Sequence, residues 1–401
     1  MFVSRLRLVN FRSYDDVTVE FAPGLNVIVG RNASGKTNLL EGAWFALRAS
    51  SPRTTRDDKA VRWGASYARA EATIAAAGDG PTRTLTVAYA PGQTKQARVD
   101  GADVASLDEL RRHGWVFIFV PESLLLVKGS PARRRAHLDA FGAALDPVYE
   151  AGLRDLNLVL RQRNAQLYRV REGAPADTLD AWDRQLARVA LPFAARRAAL
   201  VDRLAADFRR FAAALAPDDD VYSLALVSQL DDLPADGAGD ETADVPGHDG
   251  GAREAAFLAA LRSRRAGEIG RATSAFGPHR DDLRFAEETS ASPAGAAPGA
   301  DPGPGGRDLR LFGSQGEQRA AVLALLLAER AVAADTTGDL GALLLDDVMS
   351  ELDDARRRLL VGTLTTGGQA IITTTNRLYF TADELARSRV IELGGEEALR
   401  R

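Results

Sequence analysis

Residues 25–40 read LNVIVGRNASGKTNLL, and this stretch decides the fold class. An apolar run of strand length stands directly before the pattern G-x-x-x-x-G-K-[ST], and a helical pattern follows from about Lys36 to Leu47. Strand, glycine-rich loop and helix in this order form the context that a phosphate-binding loop requires. The stretch therefore predicts a nucleoside-phosphate site in an α/β protein.

Each residue type in this loop has a physical role. Glycines allow backbone N–H groups to close around phosphates, and the helix N-terminus adds its partial positive charge. Lys36 is expected to reach the β- and γ-phosphates, and Thr37 to offer its hydroxyl to Mg²⁺. The predicted cofactor-binding residues of the loop are Gly30, Arg31, Asn32, Ala33, Ser34, Gly35, Lys36 and Thr37.

A second motif lies far along the chain, where the apolar run 342–345 ends in two carboxylates. Ligands of open α/β sheets bind at the carboxyl ends of the strands, which is where this run would deliver both side chains. We expect Asp346 to hold Mg²⁺ through water and Asp347 to orient or deprotonate the attacking water. Lys36 and Asp347 are thus the predicted catalytic residues, with Thr37 and Asp346 at the metal.

A third motif, Ser314-Gln315-Gly316-Glu317-Gln318, stands immediately before a long helical pattern. Ser314 followed three residues later by Glu317 is a capping box, which requires no ligand. A serine and a glycine backbone at a helix N-terminus also make a phosphate site. The segment alone leaves both interpretations open.

The remaining chain alternates between sheet and helix patterns. The runs 68–76 and 84–90 predict a β-hairpin, and 115–120 predicts a buried strand. Apolar spacing over 153–170 and 179–211 predicts two arms of an antiparallel helical hairpin. Helix and buried strand alternate in the final hundred residues, which is typical of a parallel sheet.

Composition excludes several classes of protein. The 401 residues include no cysteine and four histidines, so disulfides, thiol nucleophiles and cysteine- or histidine-rich metal sites are not expected. The longest clean apolar run, 320–328, is about half of the roughly 18 residues that a membrane span requires. Arginines interrupt the apolar positions of the N-terminus, so no signal-peptide core is present. We expect a cytoplasmic protein without a membrane partner.

The net charge of −4 conceals an uneven distribution. Residues 128–171 carry nine basic and four acidic side chains, whereas residues 231–254 carry one basic and eight acidic ones. The first segment is compatible either with contact to a nucleic-acid backbone or with an ordinary solvated helix face. The segments 231–251 and 290–306 contain few large apolar residues, so we expect mobile loops there.

Taken together, these motifs resemble the RecF family, a group of ABC-type ATPases of chromosome maintenance and DNA repair. The match covers nearly the whole chain and is carried by residues 8–14, 30–37, 126–135, 161–164, 277–280, 314–319 and 345–353. The resemblance implies an ABC-type ATPase head, with a mixed sheet and a parallel phosphate-loop core, and an inserted α-helical hairpin lobe. It divides the chain into residues 1–125, with the phosphate loop, 126–265, the inserted lobe with a basic face, and 266–401, with the other two motifs.

The resemblance also implies how such a protein works. In the family, two subunits enclose two ATP molecules, and Ser314–Gln318 of one would contact the γ-phosphate held by the other. Ser350–Asp353 would cross the dimer axis, and Arg12 and Tyr14 would line the adenine by analogy. The dimer would bind gapped or junction DNA, hydrolyse ATP slowly and assist RecA loading together with RecO and RecR.

This sequence departs from the family pattern at three places. Glu317 stands where ABC proteins usually have glycine and RecF-like chains more often have glutamine. Asp347 replaces a glutamate, and its shorter side chain agrees with slow hydrolysis. Thr373, Thr374 and Thr375 follow the strand after which ABC proteins usually carry a γ-phosphate-sensing histidine, and one of these threonines is expected to substitute for it.

Three alternatives compete with this interpretation. A small-molecule P-loop enzyme would require a substrate pocket or lid, and the sequence offers only a basic helical hairpin. The head of a long coiled-coil chromosome protein would require a longer apolar seam than 153–170. A transporter ATPase fits the N-terminal and 163–164 segments less well.

Overall fold

The computed structural model describes residues 1–76, 80–215, 220–234, 251–288, 306–365 and 367–393. The two expected mobile loops, 231–251 and 290–306, lie almost entirely outside the described residues.

The strands of the described residues, numbered in chain order, are β1 (Phe2–Phe11), β2 (Tyr14–Glu20), β3 (Leu25–Gly30), β4 (Ala68–Ala75), β5 (Thr82–Tyr89), β6 (Gln96–Val99), β7 (Ala102–Asp103), β8 (Val116–Phe119), β9 (Val221–Val227), β10 (Asp282–Glu288), β11 (Arg307–Asp308), β12 (Ala342–Asp346), β13 (Gln369–Thr374) and β14 (Arg389–Leu393). The α-helices are α1 (Lys36–Arg48), α2 (Leu107–Arg111), α3 (Leu125–Lys128), α4 (Pro131–Leu145), α5 (Pro147–Arg171), α6 (Leu179–Leu215), α7 (Ala252–Arg271), α8 (Leu309–Phe312), α9 (Gln315–Thr337), α10 (Asp354–Thr365) and α11 (Ala382–Ala386).

A five-stranded parallel sheet carries the predicted site. Its strand order is β14-β3-β13-β12-β8, so strands from both ends of the chain lie side by side. Every residue of β12 and β13 is buried, as expected for strands covered on both faces. The ends of β3, β13 and β12 therefore meet at one edge, which brings the phosphate loop beside the two aspartates.

Alternation along the parallel strands divides the interior into two cores. Leu343 and Leu345 point into a core shared with α9 and the helical lobe, whereas Leu344 points into a second core with α1. The second core also contains the inner face of a six-stranded antiparallel sheet, β2-β1-β4-β5-β6-β7. Helix α1 is thus held between two sheets, and the phosphate loop at its start is anchored on a rigid element.

The helical lobe is built from α5 and α6, which pack against each other as the predicted hairpin, with α4 and α7 beside them. Helix α6 continues without interruption past Pro192. A small antiparallel sheet, β11-β10-β9, joins this lobe to the start of α9. The α/β class, the parallel core, the antiparallel hairpin β4-β5 and the helical hairpin are confirmed.

Candidate nucleotide-binding site

The predicted phosphate loop adopts a compact turn between β3 and α1. Ala33 and Gly35 have positive φ angles of 65° and 98° among residues with negative φ. Such alternation turns neighbouring N–H groups toward one side and creates an anion-binding concavity. A β-carbon at Gly35 would lie only 2.7 Å from the Tyr14 hydroxyl, which itself donates to the Gly35 carbonyl at 3.1 Å. Both the backbone angle and the space therefore require glycine here.

Lys36 lies across this loop. Its Nζ donates to the carbonyls of Gly30 at 2.8 Å and Arg31 at 2.9 Å. Burial lowers the pKa of Lys36, and the nearby carboxylates of Asp347 and Asp346 act in the opposite direction. The ammonium is thus already held at the mouth of the concavity, with two carboxylates close enough to stabilise its charge.

Hydrogen bonds connect the loop to the acidic strand across 309 residues of sequence. Thr37 Oγ1 donates to Asp346 Oδ2 at 2.7 Å, and Thr373 Oγ1 donates to Asp346 Oδ1 at 2.7 Å. The Asp347 N–H donates in turn to Thr373 Oγ1 at 3.0 Å. A hydroxyl beside a carboxylate is the hard oxygen donor pair that Mg²⁺ prefers, so the residues present fit this ion.

Asp347 has an unusual conformation and environment. Its φ of 47° places a non-glycine residue in the left-handed region, a strained state that is enriched at functional sites. Its Oδ1 is buried without a hydrogen-bond partner among the described residues. Burial raises the pKa of Asp347, whereas Lys36 acts to lower it. A carboxylate with a free acceptor oxygen beside a phosphate loop can accept a hydrogen bond from water.

The three threonines at the end of β13, of which Thr373 and Thr374 belong to the strand, occupy different environments. Thr373 is fully buried beneath the two aspartates and is committed to them through its hydroxyl. Thr374 is buried as well and donates to the Asn376 carbonyl at 3.1 Å. Thr375 is exposed at the end of the strand. Thr373 is therefore part of the acidic site. The hydroxyl of Thr375 has no hydrogen-bond partner among the described residues.

The Ser314–Gln318 segment forms the capping box. Ser314 Oγ accepts from the Glu317 N–H at 3.2 Å, and a Glu317 oxygen accepts from the Ser314 N–H at 2.5 Å. Glu317 also pairs with Arg307 at 2.7 Å. Burial alone would raise the pKa of Glu317, but the Ser314 N–H and the Arg307 guanidinium outweigh it and lower the pKa. Arg307, which also pairs with Glu287, therefore offsets part of the charge of this carboxylate within its own subunit.

Other residues of the same segment remain available. Ser314, Gln315 and Gly316 are exposed, whereas Gln318 is buried and donates to the carbonyls of Leu309 and Gly313. Among the hydrogen bonds and ion pairs of the described residues, none joins Ser314–Gln318 to the phosphate loop of the same chain. The structure thus brings the loop and Asp346–Asp347 together but leaves the third motif separate.

The family analogy placed Arg12 and Tyr14 at the adenine. Tyr14 bonds to Gly35 of the loop, and Arg12 bonds to Glu41 on α1. Arg12 forms a two-point ion pair with Glu41, at 2.9 and 2.5 Å, and Arg53 joins the same carboxylate at 3.2 Å. Glu41 is fully buried within α1, and its role was not predicted from the sequence. The available signal was the position of this charged residue between apolar positions of a helix that must be buried.

The basic stretch 128–171 of the lobe is less exposed than its count of charges predicts. Arg163 is completely buried and bonds to Asp183 at 2.8 Å, Glu268 at 2.6 Å and Ser274 at 2.8 Å. Arg134 is also buried and bonds to Asp282 at 2.6 and 2.8 Å. Neither arginine can contribute to an exposed basic face, because its charge is already neutralised inside the protein. The count of charges along the sequence overstated that face.

Replacing Arg163 with alanine is expected to lower the free energy of unfolding by about 3–5 kcal/mol. The variant leaves Glu268 fully buried without its ion-pair partner. Chemical denaturation followed by circular dichroism measures the effect. Arg161→Ala, at an exposed position on the same helix, is the matched control and should change little. Equal stability of the two variants would show that the buried network is not needed for folding.

The fold and this site define a class of protein, the ATPase heads of the ABC type. The phosphate loop lies between β3 and α1. The two aspartates lie at the end of β12, which is separated from β3 by one strand, β13. The helical lobe connects to the capped helix α9. The Smc head domain of Pyrococcus furiosus has the same fold, with a TM-score of 0.53 at 16% identity, covering 98% of this chain and 93% of that chain.

Comparison with known proteins identifies a family within this class. The family model described as RecF/RecN/SMC N terminal domain matches residues 2–392. The DNA replication and repair protein RecF of Heliobacterium modesticaldum is 36% identical over 395 residues, which cover 98% of this chain and 97% of the relative. A solved structure of the recombination mediator protein RecF with ATP, in the RecFOR pathway, has a TM-score of 0.74 at 26% identity and covers 94% of this chain and 92% of that chain. The chain belongs to the RecF family.

No helix in the described ranges combines the length and the apolar character needed to cross a membrane.

Proposed function

We propose that this chain is an ATP-switched DNA-binding protein of DNA replication and recombinational repair. The observation that carries the proposal is the hydrogen-bonded chain from Thr37 through Asp346 and Thr373 to Asp347, with Lys36 beside it. These hydrogen bonds join the phosphate loop to the acidic strand in one rigid site. The RecF name of the relatives and the ATP of one solved relative agree with it.

The residues of the site divide the work of nucleotide binding and hydrolysis. Gly30–Thr37 would hold the phosphates through backbone N–H groups, and Lys36 would neutralise the β- and γ-phosphates. Thr37 and Asp346 would hold Mg²⁺, which shields phosphate charge when it is bound. Asp347 would use its free Oδ1 to orient the attacking water. Its reach is shorter than that of a glutamate, which supports slow hydrolysis.

The third motif would act on a second subunit. Ser314, Gln315 and Gly316 are exposed, so they are free to meet the γ-phosphate held by a partner, with Gln318 fixing the turn behind them. The ion pair with Arg307, which Glu287 shares, would weaken the repulsion between Glu317 and that phosphate. Ser350–Asp353, which follows the acidic strand β12 after a short turn, would lie on the dimer axis. ATP would thereby favour a dimer that holds DNA.

The proposed partners are RecO, RecR and RecA, and the proposed domain boundaries lie at residues 125 and 265. Membership in the RecF family and the RecFOR pathway of a solved relative support RecO and RecR as partners in loading RecA on gapped DNA. The division at residues 125 and 265 is supported by the parallel sheet, which combines β3 and β8 with β12, β13 and β14. The lobe between these parts is dominated by α5 and α6.

The test is binding of a labelled gapped DNA, followed by fluorescence anisotropy with ATP, with ADP and without nucleotide, each at two salt concentrations. Binding should be strong only with ATP and should weaken as salt rises, because phosphate contacts release counterions. A nucleotide that favours the binding-competent state shifts the population toward it. Equal and negligible binding in all three states would reject the proposal and favour a small-molecule substrate.

A further inference from the structure

The segment Gly277–Arg280 has no part in the nucleotide site. It forms a tight turn between α7 and β10, in which Gly277 has a φ of 129° that favours glycine. His279 Nε2 lies 3.0 Å from the Ser274 carbonyl, which fixes the ring. The turn is thus a rigid element that presents Arg280 at the surface of the lobe.

Backbone carbonyls hold two arginines in place at this turn. Arg280 Nη2 donates to the Ser274 carbonyl at 2.6 Å, and Arg135 Nη1 donates to the Asp281 carbonyl at 2.5 Å. Within the described ranges, neither guanidinium forms an ion pair with a carboxylate. Both cations are therefore oriented in advance, and most of their N–H groups stay available to an anion.

The carboxylates near Arg135 are engaged elsewhere. Asp281 and Asp139 bond to Arg197, at 2.8 and 2.9 Å, and Asp282 bonds to Arg134 at 2.6 Å. Asp281 and Asp139 share Arg197, and Asp282 pairs with Arg134, so within the described residues none of the three forms an ion pair with Arg135 or Arg280, although their charges act on Arg135.

His279 lies in a buried environment close to both arginines. Its Nδ1 is buried and has no hydrogen-bond partner among the described residues. Burial is the main cause that lowers the pKa of His279 to about 4, and the nearby Arg280 and Arg135 lower it further.

Arg135 is half-buried and Arg280 is exposed, and a further exposed cation lies on α5. Asn164 accepts hydrogen bonds from the N–H and the hydroxyl of Ser274, at 2.8 and 2.7 Å, so this part of α5 touches the turn. Arg161 lies three residues earlier, on the same side of the helix, and is exposed. Arg161 therefore lies one helical turn from a residue that contacts Ser274, just before the turn.

We propose that Arg135, Arg280 and Arg161 form a contact site for the phosphate backbone of DNA, which we call the lobe phosphate site. The inference rests on the proposed DNA-binding function and adds its place on the molecule. Planar guanidiniums with fixed geometry recognise phosphate oxygens through two N–H groups at once. Three such groups along one surface fit a repeating polyanion better than a single phosphate or a carboxylate.

The test compares Arg135→Gln/Arg280→Gln with the wild type in ATP-dependent DNA binding over a range of salt concentrations. The slope of the logarithm of affinity against that of salt should become shallower by about two, and affinity should fall roughly 10- to 100-fold at about 0.1 M salt. Binding of a fluorescent ATP analogue should be unchanged, because neither arginine belongs to the nucleotide site.

Two control variants separate the charge of these residues from other effects. Arg83→Gln/Arg98→Gln removes the same charge from exposed positions of the antiparallel sheet and should keep the wild-type slope. Arg135→Lys/Arg280→Lys keeps the charge and should retain most of the slope.

Three results would overturn the inference. A wild-type slope in the glutamine variant would reject the lobe phosphate site alone. Equal losses in the lysine and glutamine variants would show that the turn needs arginine for its structure and not for DNA. Failure of the wild type to bind DNA in any nucleotide state would reject the proposed function and this inference with it.

Discussion

Replacing Lys36 with alanine should lower the affinity for ATP by about 100-fold or more, equivalent to about 2.7 kcal/mol. Lys36 Nζ is already placed over the loop by the carbonyls of Gly30 and Arg31, so the variant removes an oriented cation at the phosphates. Titration with a fluorescent ATP analogue measures the loss. DNA binding in the presence of ATP should be lost in parallel.

Lys59→Ala provides the matched control for this variant. Lys59 is exposed, so its removal changes the net charge equally without touching the loop. Because Lys36 itself is buried and its charged form is disfavoured by burial, the Lys36→Ala protein should remain folded, as circular dichroism would show. Tight ATP binding by the folded Lys36→Ala variant would contradict the role given to the loop.

Replacing Asp347 with asparagine should slow ATP hydrolysis by about 100-fold or more while leaving ATP binding intact. The amide preserves the size of the side chain but cannot act as the negative acceptor that orients or deprotonates water. Phosphate release measures the rate, and light scattering should show the dimer accumulating with ATP. Asp383→Asn, at an exposed position, is the control.

The dependence on pH gives this prediction a second measurement. Because burial raises the pKa of Asp347, hydrolysis by the wild type should fall on acidification at a higher pH than an ordinary aspartate would give. The residual activity of Asp347→Asn should lack this dependence. Hydrolysis at the wild-type rate by the variant would show that Asp347 is not the group that acts on water.

Local patterns predicted the site elements well. The loop 30–37 and the strand ending at Asp346 could be located because each is a continuous segment in which backbone demands and residue types coincide. The capping box of Ser314 and Glu317 was equally local. Whether Glu317 would repel a phosphate could not be predicted from its own segment, because the answer depends on its ion pair with Arg307 of β11.

The buried arginines mark the limit of this approach. Arg163 and Arg134 were counted as surface charge, since a single sequence gives no sign that Glu268 or Asp282 would meet them across 105 and 148 residues. The proposed role of Arg135 and Arg280 could not be predicted from the sequence either. It depends on the ion pairs that the neighbouring carboxylates form with Arg197 and Arg134.

The sequence by itself determined the phosphate loop, the acidic strand, the helix cap and the α/β class, because these follow from residue type and spacing within one segment. Only the tertiary structure decided that Thr373 supports Asp346, that Glu41 holds Arg12 and that Arg163 lies inside the lobe. These contacts join segments that pack together only after the whole chain has folded. Their energies depend on burial and on pairing geometry, and neither is written in the local pattern.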